Sequence, residues 1–218
     1  MKTAYFTYET IDSKAADMLA EVSDRVKPSG IPFEPRKSAL LVLDVQRYFS
    51  DPASHAFVPS LPPVIEKIKE IQAGYVAAGL PVILTRHLNT DGDAGLLGTW
   101  WKDLIRPGTD HGEIVAGLEP EGSTVLIKTQ YDAFHGTDLE RILKQRDVSQ
   151  VVVTGVMTHL CCETTARSAF VRGFTVFIPV DGTATYNEDF HFGSMLNLAH
   201  GFAVPVLTGD LRRSLETC

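Results

Sequence analysis

The sequence predicts a doubly wound α/β fold, a parallel sheet covered by helices on both faces. Six short apolar runs stand out along the 218 residues, at 39–43, 81–84, 124–127, 150–154, 175–180 and 204–207. Most are rich in Val, Ile and Leu without polar alternation, the pattern of strands buried on both faces. Helical periodicities fall between them, so strand and helix alternate along the chain.

Each element can be placed in turn. Residues 1–37 read as an N-terminal arm on a single domain spanning 1–218. The arm has a helical pattern over 15–26 and a proline-rich bridge over 28–35, and is expected to pack on the body or on a neighbouring subunit. The first strand, Ala-Leu-Leu-Val-Leu, ends in Asp44, with Gln46 just beyond. Val64, Ile65, Ile68, Ile71 and Val76 then recur at helical spacing until Gly79 stops the run. The second strand leads into residues 89–121, a long glycine-rich connection with Trp100 and Trp101, of the kind that forms lids and pocket walls. The third strand ends in Lys128 and is followed by a helix over 138–146. The fourth ends in Thr154-Gly155, and a helix over 161–172 follows before Gly173.

Composition narrows the function. With 44% hydrophobic and 22% charged residues the chain is globular in character. Its formal charge of -7 argues against a nucleic-acid partner, which needs a basic face. No apolar run approaches the roughly 20 residues that cross a bilayer, and residues 1–18 lack the apolar segment of a secretory signal. Three cysteines, two of them adjacent, make no disulfide framework. A cytoplasmic protein acting on a small molecule, with no membrane partner, is expected.

The polar residues at strand ends carry the chemistry, because ligands of open parallel sheets bind outside the carboxyl ends of the strands. A carboxylate straight after five apolar residues, Asp44, is poorly solvated unless paired. Lys128 is equally awkward unless it faces a cleft or a carboxylate. Cys161, six residues past Gly155, sits where a helix begins, and a helix N-terminus lowers a thiol pKa. Taken singly these residues read as a cap, a solvated lysine and a packed thiol. Placed together at three strand ends, they supply a nucleophile, a proton acceptor and a cation for acyl transfer. Cys162 is expected to face the core, and Cys218 is a tail residue.

Three segments in this order resemble the isochorismatase-like cysteine hydrolases: Leu-Leu-Val-Leu-Asp44-Val-Gln46-Arg-Tyr-Phe49, Ile-Lys128-Thr-Gln-Tyr131-Asp-Ala-Phe134 and Thr-Gly155-Val-Met-Thr-His-Leu-Cys161. The resemblance runs from about Phe33 to Leu211. It implies a three-layer α/β/α fold with a six-stranded parallel sheet and a catalytic triad of Asp44, Lys128 and Cys161. It also implies a cis peptide at Val156–Met157 and an oxyanion hole formed by the N–H groups of Met157 and Cys161. Family members are commonly oligomeric, so a homodimer or homotetramer is expected.

Departures from the family pattern shape the rest. Nicotinamidases carry an Asp-x-His metal segment where this chain reads Arg86-His87-Leu88-Asn89, so neither a metal nor another cofactor is expected. Isochorismatases, which cleave a vinyl ether, usually have glycine where this chain has Cys161, although the arm and the Tyr131 segment look closer to them. A retained thiol suits attack on a carbonyl. The expected function is therefore hydrolysis of a small amide, carbamoyl or ureido substrate through a thioester. Vinyl-ether hydrolysis led by Asp44 is the alternative, and a non-catalytic binding protein the third reading. Gln46, Phe49, Trp100, Trp101, Tyr131 and Phe134 are expected around the substrate, with Arg86 or His87 meeting an anionic end.

Overall fold

A computed structural model describes residues 1–27 and 29–218. In chain order its elements are α1 (Ile11–Arg25), β1 (Ser38–Leu43), α2 (Arg47–Ser50), α3 (Leu61–Ala77), β2 (Val82–His87), α4 (Leu96–Trp101), β3 (Thr124–Lys128) and α5 (Leu139–Gln145). There follow β4 (Gln150–Val156), α6 (Glu163–Val171), β5 (Thr175–Pro179), β6 (Thr183–Ala184), α7 (Glu188–Gly201), β7 (Val204–Val206) and α8 (Thr208–Leu215). All six apolar runs form strands. They pair in parallel in the order β3-β2-β1-β4-β5-β7, and the two-residue β6 lies beside the end of β4.

This order places the site. Strand order reverses between β1 and β4, and a doubly wound sheet opens its crevice at such a switch, outside the carboxyl ends. Asp44 leaves β1 there, and the turn carrying Cys161 leaves β4 beside it. The two strands lie close. Leu43 pairs with Gly155, whose φ is +110°, and a Cβ on Gly155 would stand 2.1 Å from the Leu43 carbonyl oxygen. Only glycine fits that approach.

Burial on both faces holds for the centre of the sheet and fails at its edges. Every residue of β1 and β4 is buried. On β3 the residues alternate, with Val125 37% and Ile127 60% exposed, because an edge strand has one neighbour and incomplete helix cover. A run of Val, Ile and Leu does not distinguish these two positions in a sheet.

The arm packs on its own chain. Ile11, Ala15, Met18 and Val22 form the buried face of α1, which lies against α7. Ahead of it, Tyr5 and Phe6 are buried and their N–H groups donate to Ser60 Oγ at 2.9 and 3.0 Å. The expected proline-rich bridge starts at Pro28, which lies outside the described residues. Its far end is pinned to β4, where Gln150 donates to Pro32 O at 3.1 Å and accepts from Glu34 N at 2.8 Å. Among the described residues no helix is long and apolar enough to cross a membrane.

Candidate active site

Asp44 follows β1 with φ +54°, a left-handed conformation uncommon outside glycine, and its side chain is fully buried. Thr85 on β2 holds it from one side. The Thr85 hydroxyl donates to Asp44 Oδ1 at 2.6 Å and accepts the Asp44 backbone N–H at 3.1 Å. That leaves Oδ2 directed into the site.

Lys128 reaches Oδ2 from two strands away. It pairs with His87 across β3 and β2, and its side chain leans over β2 to bring Nζ to 2.8 Å from Asp44 Oδ2. Nζ also lies 2.7 Å from Gln130 O, 3.2 Å from His87 Nδ1 and 3.4 Å from Cys161 Sγ. Neither side chain of the ion pair has any solvent exposure. Burial alone would raise the Asp44 carboxyl, but the Lys128 charge, helped by His87, brings it below its ordinary value. Burial likewise opposes the Lys128 charge, and Asp44 and Cys161 more than offset it, so the lysine stays an ammonium.

Cys161 lies in a π-helical turn, Thr158–Cys162, and α6 begins only at Glu163, two residues later than the sequence pattern suggests. Single π turns recur at functional sites because they re-aim a side chain within a helix. The structure corrects the expectation of a thiol lowered by a helix end. Burial pushes the Cys161 thiol up and Lys128 only partly opposes this, while the neighbouring Asp44 carboxylate adds to the rise. Desolvation outweighs the dipole because the sulfur is buried. The resting state is thus a neutral thiol beside a carboxylate and an ammonium. Cys162 is buried in the core and Cys218 is exposed. The Val156–Met157 peptide is cis.

Asp44, His87 and Cys161 offer an oxygen, a nitrogen and a sulfur within 4.8 Å of one another. By donor type this set suits a metal ion. The Lys128 ammonium, however, contacts all three residues, so a cation already fills the middle of the cluster and its charge opposes a second. The residues do not fit a metal centre.

Above Cys161 opens a cavity of about 560 Å³ including its mouth. Its walls are apolar and aromatic, from Phe49, Trp101, Tyr131, Leu160 and Tyr186, with Leu97, Leu104 and Ile105 from the long connection. Trp101 Nε1 donates to the Tyr131 hydroxyl at 2.6 Å, closing one wall. At the rim, Asp103 accepts from Tyr48 at 2.7 Å and faces His55 at 3.3 Å. Among the described residues no lysine or arginine lines the cavity.

The sequence-derived site residues divide. Asp44, Lys128 and Cys161 meet, and Phe49, His87, Trp101, Tyr131 and Met157 line the cavity with Cys161. Four others lie elsewhere. Gln46 is buried, and its amide is fully engaged by backbone: it donates to His87 O and Gly112 O and accepts from His87 N. Arg86 points to the opposite face of β2 from Thr85 and His87, as strand alternation requires, and binds Gly112 O and Glu113. Trp100, next to Trp101 on α4, faces solvent at 77% exposure. Phe134 stacks on Phe174 with ring centroids 6.0 Å apart. Thr85, Asn89 and Tyr186 belong to the site without having been singled out for it. Thr85 had a usable signal, since it shares a strand face with His87.

Comparison with known proteins agrees with this geometry. The sequence profile of the isochorismatase domain matches residues 38–210. Nicotinamidase 3 of Arabidopsis thaliana is 43% identical over 183 residues, 82% of this chain and 88% of that protein. Enterobactin synthase component B of Escherichia coli (strain K12) is 32% identical over 182 residues, but this alignment spans only 64% of that protein. Among solved structures, a cysteine hydrolase from Pseudomonas syringae pv. phaseolicola 1448A superposes with a TM-score of 0.83 at 26% identity. It covers 87% of this chain and 97% of that one.

Proposed function

The chain belongs to the isochorismatase family of hydrolases, and we propose that it is a cysteine amidohydrolase acting on small, uncharged carboxamides. One observation carries the reading: a single buried ammonium, Lys128, touches both the Asp44 carboxylate and the sulfur of Cys161, and of these three residues Cys161 lines the cavity.

The chemistry follows from those contacts. Asp44 Oδ2 takes the proton from Cys161 as Sγ attacks the carbonyl carbon, forming the C–S bond. Negative charge moves to the carbonyl oxygen, where the N–H groups of Met157 and Cys161 are assigned as donors. Collapse breaks the C–N bond, and the departing ammonia or amine takes the proton from Asp44. Water, deprotonated by Asp44, then cleaves the thioester and restores the thiol. Because the resting thiol is neutral, proton transfer accompanies attack and does not precede it.

The walls favour the substrate class. A carboxylate-bearing substrate would find no cation on the lining, whereas a flat uncharged ring suits Phe49, Trp101 and Tyr131. The plant relative is named for hydrolysis of one small aromatic carboxamide, nicotinamide. The test is turnover of a carboxamide panel, with isochorismate alongside, by wild type and Cys161→Ala. Ammonia release by wild type only, with the variant folded by circular dichroism, supports the reading. Pyruvate release from isochorismate that persists in Cys161→Ala would replace it with vinyl-ether chemistry.

A further inference from the structure

An ammonium has three protons, and Lys128 Nζ has four acceptors within reach: Gln130 O at 2.7 Å, Asp44 Oδ2 at 2.8 Å, His87 Nδ1 at 3.2 Å and Cys161 Sγ at 3.4 Å. The contact with Oδ2 is an ion pair between two fully buried side chains, and it is one of four calls on three protons. With more acceptors than protons, the direction of each N–H depends on the neighbours of the ammonium as well as on the carboxylate it neutralises.

His87 is one of those neighbours, and its tautomer can be read from the groups around it. An ammonium nitrogen only donates, so His87 Nδ1 must be the unprotonated acceptor. The other ring nitrogen, Nε2, lies 2.7 Å from Asn89 Oδ1. The Asn89 amide has one possible orientation, because its Nδ2 faces two pure acceptors, Asp93 Oδ1 at 3.0 Å and Thr129 O at 3.1 Å. Nε2 must then carry the proton. Asp93 is itself fixed by Thr90, whose N–H and hydroxyl donate to it at 2.8 and 2.9 Å. All donors from Lys128 through His87 and Asn89 point the same way, towards Asp93, and hydrogen bonds so aligned reinforce one another.

We propose that His87 is a positioning residue for Lys128. Locked as the Nε2–H tautomer by Asn89 and Asp93, it anchors one ammonium proton while Gln130 O anchors a second. The third N–H then lies between Asp44 and Cys161. It stays beside the reacting atoms as negative charge leaves Oδ2 and passes through Sγ to the carbonyl oxygen during attack. This inference rests on the triad chemistry proposed above and adds the device that aims its cation. The charged and titratable groups facing the imidazole are Lys128 on β3, Asp44 after β1, Asp93 in the following turn and the Cys161 thiol. Burial and the Lys128 charge push His87 down to about 4, which keeps the ring neutral at physiological pH.

The test compares His87→Leu, His87→Asn and Asn89→Leu with wild type, by kinetics on a turned-over carboxamide and by pH-dependent iodoacetamide alkylation mapped to Cys161. Histidine 15N NMR of wild type, with His87 assigned from the variants, reads the tautomer directly. His87→Leu is expected to lower kcat roughly 10- to 100-fold, the effect of one unpaired buried donor, with KM within about twofold. Its alkylation profile moves to higher pH. His87→Asn, which offers Oδ1 in place of Nδ1, recovers most of both, and Asn89→Leu mixes the tautomers. A raised KM with unchanged kcat makes His87 a substrate contact and overturns the proposal, as does an Nδ1–H tautomer in wild type. Unchanged kinetics and alkylation in His87→Leu also overturn it. If His87→Leu does not fold, the wild-type tautomer and the other two variants decide. Failure of the amidase reading itself shows differently, as activity that survives Cys161→Ala.

Discussion

Lys128 Nζ lies 2.8 Å from Asp44 Oδ2 although all of β2 stands between their strands. The pair has no solvent exposure, so each charge depends on the other. Lys128→Met alone strands a carboxylate in the core and is expected to cost about 3–5 kcal/mol of stability, and Asp44→Asn a similar amount. The double variant should recover much of that loss while remaining inactive. Urea unfolding of the four proteins measures the coupling, and simple additivity of the two single losses would show that the charges act independently.

Thr85 should matter to rate more than to binding. Thr85→Val removes the hydroxyl that holds Asp44 Oδ1 and leaves that oxygen unpaired, a loss of about 1–3 kcal/mol. We expect kcat to fall about tenfold or more at nearly constant KM, with Thr85→Ser close to wild type. Steady-state kinetics on one carboxamide decides, and a change confined to KM contradicts the assignment.

Much of this arrangement was legible in the sequence, for definite reasons. Asp44, Lys128 and Cys161 each end or follow an apolar run, and the alternation of strands and helices fixes where such residues gather. What escaped was side-chain direction. Trp100 and Trp101 are neighbours with the same chemistry, and only the helical turn of α4 sends one inward. Gln46 sits beside the triad, yet backbone groups consume its amide. The thiol pKa went the other way because burial, unlike helix position, is not written at any single residue.

Two glycines should separate close approach from conformation. Gly155→Ala places a methyl group 2.1 Å from Leu43 O, backbone against backbone, and is expected to cost at least about 4 kcal/mol or abolish folding. Gly173 also has positive φ, at +87°, but a Cβ there meets nothing within 4 Å. Gly173→Ala should cost only about 1 kcal/mol. Melting temperatures of the two variants give the comparison, and equal shifts would remove the steric explanation.

Acid should destabilise the fold through buried neutral histidines. His191 accepts from the Thr158 hydroxyl at 2.9 Å and donates to Val180 O at 3.0 Å, and burial pushes it down to about 3. An unfolded histidine titrates near 6.5. Below that pH the unfolded chain binds a proton that the folded chain refuses, so stability is full above about 6.5 and declines as pH falls towards 3. The slope approaches about 1.4 kcal/mol per pH unit for each such histidine. His191→Leu should be less stable at pH 7, having lost two hydrogen bonds, but its decline between pH 6.5 and 5 should be shallower. Denaturation at several pH values checks this, and an unaltered slope would assign the acid sensitivity to other groups.

Asp44, Lys128 and Cys161 sit at or just after strand ends, while Leu97, Trp101, Leu104 and Ile105 come from the one connection between β2 and β3. Part of the wall therefore sits on a tract of the chain that carries none of these three groups, whereas Phe49 and Tyr131 closely follow Asp44 and Lys128 in sequence and Leu160 directly precedes Cys161. Changes at those four wall positions can redraw the cavity without touching the spacing between carboxylate, ammonium and sulfur, whereas changes at Asn89 or Asp93, in the same connection, reach Lys128 through His87. In evolutionary terms the frame is a reaction in search of substrates. Substrate range is open to change at those four wall positions, while the buried register of β1 against β4 keeps Asp44 and Cys161 side by side.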